Sequence, residues 1–134
     1  MKKLFDILTP EQPRVLPYAR TLNIAFRTFH IIVVGIFLGG QTFEVEAERS
    51  KLYLYLSIVT GLCLMVVECY PSCRWFYQGR GVLVQLKLLL FATVPFFWSY
   101  RVPILIGVAI IASVGSHMPR RFRYYSLWHK RVLD

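Results

Sequence analysis

Four ionisable residues lie within otherwise apolar stretches of this 134-residue sequence: His30, Glu68, Lys87 and His117. An ionisable side chain in hydrocarbon costs about 2.5 to 3.5 kcal/mol on insertion scales, so each one marks a candidate functional site. Histidine can ligate a metal or a haem iron, whereas a carboxylate and an ammonium group can form an ion pair. The four residues therefore predict either a ligand site or a polar network within a membrane.

The composition is typical of a membrane protein. Hydrophobic residues make up 56% of the chain and charged residues 17%, with a mean hydropathy of +0.49. A soluble domain carries roughly 25% charged residues, which it needs to cover its surface. This chain has too few charges for that, so its surface is expected to face lipid.

Four apolar runs are long enough to cross a bilayer, which takes about 20 residues for ~30 Å of hydrocarbon. The runs cover about residues 24–43, 52–70, 81–100 and 102–119. Short connections make successive spans antiparallel neighbours. The predicted fold is therefore all-α, a single integral membrane domain that forms a four-helix up-and-down bundle. An interfacial segment over 1–20 and a basic aromatic tail over 120–134 flank the spans.

The distribution of cations predicts the orientation. Twelve of the sixteen Lys and Arg residues fall in the N-terminal segment, the 71–80 connection and the C-terminal tail, whereas Arg49, Lys51 and Arg101 fall on the other side. Short basic flanks remain in the cytoplasm, so both termini are predicted to be cytoplasmic, in a bacterial inner membrane. The net charge of +9 is thus interpreted as a topology signal, and no nucleic-acid partner is expected.

The four ionisable residues are expected to share one layer near the cytoplasmic face. If Arg27 marks the boundary, His30 lies roughly 5 Å inside it by the helical rise. The last run must extend through His117 to reach a spanning length, which places His117 at a similar depth. Glu68 and Lys87 lie towards the same ends of their spans. Matched depth predicts one shared site or network.

Two histidines at matched depth on the first and fourth helices favour a low-spin haem b, whose iron takes axial imidazoles from opposite sides. In this hypothesis His30 and His117 ligate the metal, while Arg27 and Lys87 neutralise the haem propionates. Met118 is an alternative ligand. The structural alternative has no cofactor: Glu68 and Lys87 form a buried polar pair, and each histidine bonds to a backbone carbonyl of a neighbouring helix.

The cysteines offer a second, different metal hypothesis. Three cysteines are too few and odd in number for a disulfide framework. Cys69 and Cys73 are four residues apart and, with Glu68, could form a metal site. Pro71 lies between them and breaks the helix that would align them.

A small-residue motif predicts helix packing within the first span. Gly35 and Gly39 form a GxxxG pattern, and small residues at this spacing let membrane helices approach closely. Their face is rotated far from that of His30, so the motif is expected to contact a neighbouring helix instead of lining a pocket.

The C-terminal tail alternates cations with aromatic residues. Phe122, Tyr125, Trp128 and Val132 recur at helical spacing, which predicts a short interfacial helix. Its expected lipid-facing residues are Arg120, Arg121, Arg123 and Trp128. Membrane lipids are therefore predicted partners, because arginines bind anionic headgroups and aromatic rings lie at headgroup depth. Binding of a partner protein is the alternative.

Two stretches resemble known membrane families. The segment Arg27-Thr-Phe-His-Ile-Ile-Val-Val-Gly-Ile-Phe-Leu-Gly-Gly, with Leu86-Lys87-Leu-Leu-Leu further on, is similar to the HemJ-type protoporphyrinogen oxidases and to the copper-resistance D family of small polytopic proteins. The oxidases carry a basic, aromatic motif just after the first helix, where this chain has a Glu-rich loop. The resemblance therefore implies haem-site roles for His30 and Lys87 more than it implies the oxidase activity.

These features predict a small polytopic subunit of a larger membrane complex that functions in electron transfer, with a candidate haem between the first and fourth helices. Other membrane-protein subunits are its expected partners, because spans and loops this short leave little room for independent catalysis. The alternatives are a HemJ-like enzyme that handles a porphyrin or a metal, and a structural accessory subunit without a cofactor.

Overall fold

The computed structural model describes residues 1–10 and 12–132, and these described residues are 74% helical. Glu11 and the last two residues of the predicted tail, Leu133 and Asp134, lie outside the described residues. The described α-helices are α1 Lys2–Leu8, α2 Ala19–Thr42, α3 Ala47–Cys69, α4 Gly79–Thr93, α5 Arg101–Ser116 and α6 Arg120–Arg123. Short 3₁₀ turns cover Cys73–Tyr77 and Trp98–Tyr100, and two-residue strands form β1 Tyr125–Ser126 and β2 Arg131–Val132.

Three helical segments are long and apolar enough to cross a membrane. They are Ala19–Thr42, Ala47–Cys69 and Trp98–Ser116, of 24, 23 and 19 residues. Most of their apolar side chains are exposed within the chain, as Ile31 and Val66 illustrate. Membrane-length helices are thus confirmed near three of the four predicted runs, and they indicate a membrane protein.

The helices α2 and α3 form the first hairpin and run antiparallel. Gly40, near the end of α2, lies beside Ser50, near the start of α3, while His30 lies beside Gly61. The buried side chains between them are Val33, Phe37 and Gln41 from α2, and Ser50, Ser57 and Thr60 from α3. Small and polar residues on α3 let the two backbones approach closely, as in other membrane helix pairs.

The N-terminal segment returns to the end of this hairpin. Prolines at 10, 13 and 17 keep residues between α1 and α2 out of a helix, because proline lacks an N–H and disfavours helical geometry before it. The Arg14 backbone N–H donates to the Pro71 carbonyl at 3.0 Å, and the Arg14 side chain donates to the Ile7 carbonyl. The segment is therefore tied to the residues that follow α3.

The predicted span 81–100 is not one continuous helix. Helix α4 begins at Gly79 and ends at Thr93, and the amides of Phe96 and Phe97 both turn back to the Thr93 carbonyl. Pro95 explains the break, because it has no N–H for the helix ladder and disfavours a helical residue before it. Fifteen residues cover about 22 Å at the helical rise, less than the hydrocarbon thickness. The helix of the third predicted span is thus shorter than the three membrane-length segments.

The helices α4 and α5 form the second hairpin. An added Cβ at Gly115, near the end of α5, would lie 3.0 Å from Leu83 Cδ1, near the start of α4, so the two helices run antiparallel.

The start of α4 is in close contact with backbone on two sides. An added Cβ at Gly79 would clash with the Phe122 carbonyl oxygen, and one at Gly81 with the Trp75 carbonyl oxygen. Only glycine fits at these two positions.

The C-terminal tail folds differently from the predicted interfacial helix. Helix α6 has only four residues, and β1 then pairs with β2 as an antiparallel hairpin. The Leu127 N–H donates to the Tyr77 carbonyl at 3.0 Å, and Ser126 forms a bridge with Gln78. An isolated short helix is marginal in water. Pairing with the backbone of Tyr77 and Gln78, just before α4, stabilises the extended hairpin instead. The periodicity of the tail sequence does not reveal these pairing partners.

Candidate functional site

His30 contacts the side chain of a neighbouring helix. Its Nδ1 lies 2.7 Å from Thr60 Oγ1, and the Thr60 hydroxyl lies 2.7 Å from the Leu56 carbonyl of its own helix. A hydroxyl has one proton, so when Thr60 donates it to Leu56, the hydrogen bond from His30 must come from Nδ1–H. The neutral imidazole then has its lone pair on Nε2. The structural alternative expected a backbone carbonyl as partner, and the partner of Nδ1 in this contact is a threonine hydroxyl.

Gly61 provides the space for this imidazole. A Cβ added at Gly61 would lie 3.3 Å from His30 Cε1, which is tighter than an ordinary van der Waals contact. The ring therefore lies against α3 where that helix has no side chain. Neither Thr60 nor Gly61 was among the residues selected from the sequence, although both lie on the α3 face that continues, about two turns later, to Glu68.

Glu68 forms a three-residue cluster at the end of the first hairpin. Its Oε1 accepts hydrogen bonds from Asn23 Nδ2 at 2.8 Å and from an Arg27 guanidinium nitrogen at 3.1 Å. The Glu68 side chain is 17% exposed and that of Arg27 is 51% exposed. Arg27, predicted as a propionate partner, thus pairs with a carboxylate. Asn23 was missed by the sequence reasoning, although its position four residues before Arg27 places it on the same helix face.

Three predicted site residues therefore meet between α2 and α3. Arg27 and His30 lie on successive turns of one α2 face, opposite Glu68 and Thr60. The chain divides into two compact units, Met1–Cys73 and Arg74–Asp134, and this polar face lies wholly within the first.

The second unit contains the other two predicted residues. Lys87 is half-buried on α4, and His117 is exposed immediately after α5, with its amide directed to the Ser113 and Val114 carbonyls. Helix α5 thus ends at Ser116, a few residues before the predicted boundary at 119. The Glu68–Lys87 pair and the shared haem each join residues from both units, and both stay predictions.

A surface cavity of about 560 Å³ adjoins His117. Ser113, Val114, His117, Met118, Pro119 and Phe122 line it. The lining is mostly apolar, and His117 is its only ionisable residue.

A second cavity of about 360 Å³ lies at the other end of the first hairpin. It is lined by Gly39, Phe43, Arg49, Ser50 and Tyr53, among others. The buried Ser50 hydroxyl makes no hydrogen bond within the described residues. This cavity lies where the glycine motif ends.

The glycines of the GxxxG motif are open. An added Cβ at Gly35 or Gly39 would meet no atom of the described residues within 4 Å. Close approach inside the first hairpin instead involves Gly40 and Gly61. No described residue packs closely against Gly35 or Gly39. Their predicted packing role therefore requires a partner other than the described residues.

The tail brings together several of its cations and aromatic rings. The guanidinium carbons of Arg80 and Arg120 lie 5.0 and 5.9 Å from the centroid of the Tyr124 ring. Arg123 donates to the Ser116 carbonyl at 2.9 Å, which joins the tail to the end of α5. Trp128 is 81% exposed. Of these residues, Arg80 and Tyr124 were not selected from the sequence as lipid contacts.

The three cysteines are not part of a metal-ligand cluster within the described residues. Cys63, Cys69 and Cys73 form no disulfide, and within residues 1–10 and 12–132 no three His, Cys, Asp or Glu side chains are arranged to hold a metal ion. Glu68, Cys69 and Cys73 thus do not form a three-ligand group. The turn at Pro71 explains this, because it separates the two cysteines from a common helix face.

The comparisons with known proteins reveal no relative for this arrangement. No protein-family model, curated protein or solved structure matches the chain.

Proposed function

We propose that this protein is a small polytopic subunit of a larger membrane complex, and that α2 binds a transmembrane helix of another subunit. The observation that carries the proposal is the open space around Gly35 and Gly39 on a membrane-length helix. Membrane helices associate by close packing of small residues, because lipid tails give apolar helices no hydrophobic reason to associate.

The surroundings of the two glycines fit this role. Ile32, Ile36 and Phe43 recur at helical spacing beside them and are all exposed within the chain. These five residues, four in α2 and Phe43 directly after it, are called here the glycine face of α2. The opposite face of α2, with Val33 and Phe37, is buried against α3. Helix α2 thus has one face for its own hairpin and a second that is available to another helix.

The test replaces glycine on this face with a residue that inserts equally well. Gly39→Leu should release the protein from its assembly, because a branched side chain prevents close backbone approach while leucine remains favourable in hydrocarbon. The size of the mild-detergent complex is measured by native gel or light scattering. Gly107→Leu is the matched control, since Gly107 lies on α5 and also has no atom of the described residues near its added Cβ.

The expected result is a smaller species for Gly39→Leu and an unchanged complex for Gly107→Leu. A wild-type protein that purifies only as a free monomer contradicts the proposal. Equal effects of the two substitutions also contradict it, because they would show a general loss of stability.

The proposed topology has four crossings and two cytoplasmic termini. The short helix α4 would cross with help from the segment that follows it, where Phe96, Trp98 and Tyr100 are exposed. Trp and Tyr concentrate at membrane interfaces, and a bilayer thins locally around a short span. The predicted bacterial inner membrane remains part of this proposal.

Electron transfer through haem b is the second candidate function, with His30 and His117 as axial ligands. A haem-ligating histidine commonly donates its other ring N–H to an acceptor, which orients the ring and raises its basicity. The hydrogen bond of His30 to Thr60 meets this requirement, and the apolar cavity beside His117 would receive a macrocycle edge. The bound haem would supply one-electron redox chemistry. Lys87 and Arg27 would neutralise its propionates.

Two further functions remain as alternatives. A HemJ-like enzyme that handles a porphyrin or a metal would use His30 and Lys87, as the resemblance implies. A structural accessory subunit would use the glycine face and the lipid-facing tail alone. A turnover assay with protoporphyrinogen separates the first alternative from the proposed subunit, and a colourless protein within an intact complex would favour the second.

A further inference from the structure

We propose that the folded tail forms a binding site for the phosphate group of an anionic phospholipid. The site, called here the phosphate cradle, consists of Arg80, Arg120 and the Tyr124 ring that both guanidinium groups approach. It extends the predicted lipid contact of the tail, because it includes a residue from the start of α4 and has a defined geometry. It does not depend on the proposed subunit function.

The second unit carries a large excess of positive charge. Residues 74–132 contain nine Lys and Arg residues and no Asp or Glu. Residues 1–73 contain seven Lys and Arg residues and six Asp and Glu residues, so they are nearly balanced. The charge of +9 over 74–132 therefore equals the net charge of the whole chain. Acidic lipid headgroups are a source of negative charge beside a membrane helix.

The geometry brings two of these cations to one place. Both guanidinium carbons lie within 6 Å of the Tyr124 ring centroid, at distances typical of cation–π contacts. Gln78 Oε1 accepts a hydrogen bond from Arg80 Nε at 3.0 Å, which orients this guanidinium. A phosphate at this ring would receive hydrogen bonds from the guanidinium groups, because the planar guanidinium fork matches phosphate oxygens.

The fold also places the cradle at the level of the membrane surface. Helix α5 is part of a membrane-length segment, and α6 begins four residues after it. The start of α4 reaches the same end, since an added Cβ at Gly79 would clash with the Phe122 carbonyl. Arg80 and Arg120 thus lie where a membrane-spanning segment ends. Lipid phosphates occur at this depth.

The exposed apolar side chains of the tail favour lipid over a soluble phosphate. Phe122, Leu127 and Trp128 are all more than half exposed, and Leu127 and Trp128 lie in the turn between β1 and β2. Aromatic side chains of this kind are enriched at the headgroup level. A site for a free anion would not need them.

The test compares lipid binding by the full-length protein in detergent. Native mass spectrometry measures the phosphatidylglycerol and phosphatidylcholine that remain bound to the wild type and to Arg80→Gln/Arg120→Gln. The wild type should prefer phosphatidylglycerol, and the double variant should lose its phosphatidylglycerol affinity at least tenfold. Arg80→Lys/Arg120→Lys keeps the charge but not the planar fork, and it should recover only part of the affinity.

Arg101→Gln is the matched control. Arg101 also lies over an aromatic ring, at 4.9 Å from the Trp98 centroid, but at the opposite end of the second hairpin. This variant should bind phosphatidylglycerol within twofold of the wild type. Circular dichroism checks that each variant keeps its helical content.

Three results would overturn the proposal. The first is equal binding of phosphatidylglycerol and phosphatidylcholine by the wild type. The second is an equal loss of affinity in Arg101→Gln and in Arg80→Gln/Arg120→Gln, which would indicate general electrostatic attraction. The third is displacement of the lipid by millimolar inorganic phosphate, which would identify a site for the free anion.

Discussion

The His30 imidazole and the Thr60 hydroxyl form a 2.7 Å hydrogen bond across the two helices of the first hairpin. When the Thr60 hydroxyl donates its hydrogen bond to the Leu56 carbonyl, His30 is the donor through Nδ1–H. The contact thus combines a helix–helix interaction with control of the histidine tautomer. Both effects can be measured.

Removal of the Thr60 hydroxyl should weaken the first hairpin. Thr60→Val should cost about 1 kcal/mol of unfolding free energy, the order found for interhelical hydrogen bonds in membranes. Thr60→Ser keeps the hydroxyl and should cost less. Reversible unfolding in mixed micelles measures both values. Ser57→Ala is the control, because the Ser57 hydroxyl bonds to the Tyr53 carbonyl of its own helix. A larger cost for Ser57→Ala than for Thr60→Val would contradict the assigned role.

The haem hypothesis predicts a coloured protein. The dithionite-reduced wild type should show the sharp visible bands of a low-spin b cytochrome, and either His30→Ala or His117→Ala should abolish low-spin ligation. Thr60→Val should keep the haem but shift its midpoint potential, because the orienting partner of the ligand is lost. Absorption spectra and redox titration provide the readouts. A correctly assembled but colourless wild type would eliminate this function.

The two glycines at the start of α4 should not tolerate a methyl group. Gly79→Ala and Gly81→Ala each place a Cβ against a backbone carbonyl oxygen, and backbone cannot move aside as a flexible side chain can. Overpacking of this kind typically costs about 1 to 3 kcal/mol. Gly107→Ala should be nearly neutral, because its Cβ enters open space and Gly107 lies outside the glycine face. Thermal unfolding in detergent ranks the three variants, and equal midpoints would contradict the described packing.

Reporter fusions distinguish four crossings from three. Four crossings place a reporter after Asp134 in the cytoplasm and place reporters near Glu46 and in the 94–97 turn outside. If α4 does not cross, the turn reporter becomes cytoplasmic and the C-terminal reporter becomes external. Alkaline phosphatase and green fluorescent protein fusions read the two sides. An external C-terminus would overturn both the proposed topology and the common layer of polar residues.

Some features of the site follow from local sequence, and others depend on a neighbour in space. Asn23, Arg27 and His30 share a helix face because helical spacing alone requires it. That Arg27 pairs with Glu68 is a property of the register between α2 and α3, and a sequence pattern does not specify this register. The same holds for Gly40 and Gly61. Their role in the close approach of α2 and α3 appears only once the facing residue is known. The GxxxG motif, in contrast, is recognised from its spacing alone.

The sequence by itself determined that this protein has membrane-length helices, because the transfer of apolar side chains into lipid depends on local composition and length. It also determined where α4 ends, because Pro95 interrupts its own helix whatever surrounds it. Only the tertiary structure decided the form of the tail. Its residues have helical periodicity, yet the backbone of Tyr77 and Gln78 provides pairing partners that stabilise β1 and β2 instead. A local pattern cannot specify such partners, which lie some fifty residues away along the chain.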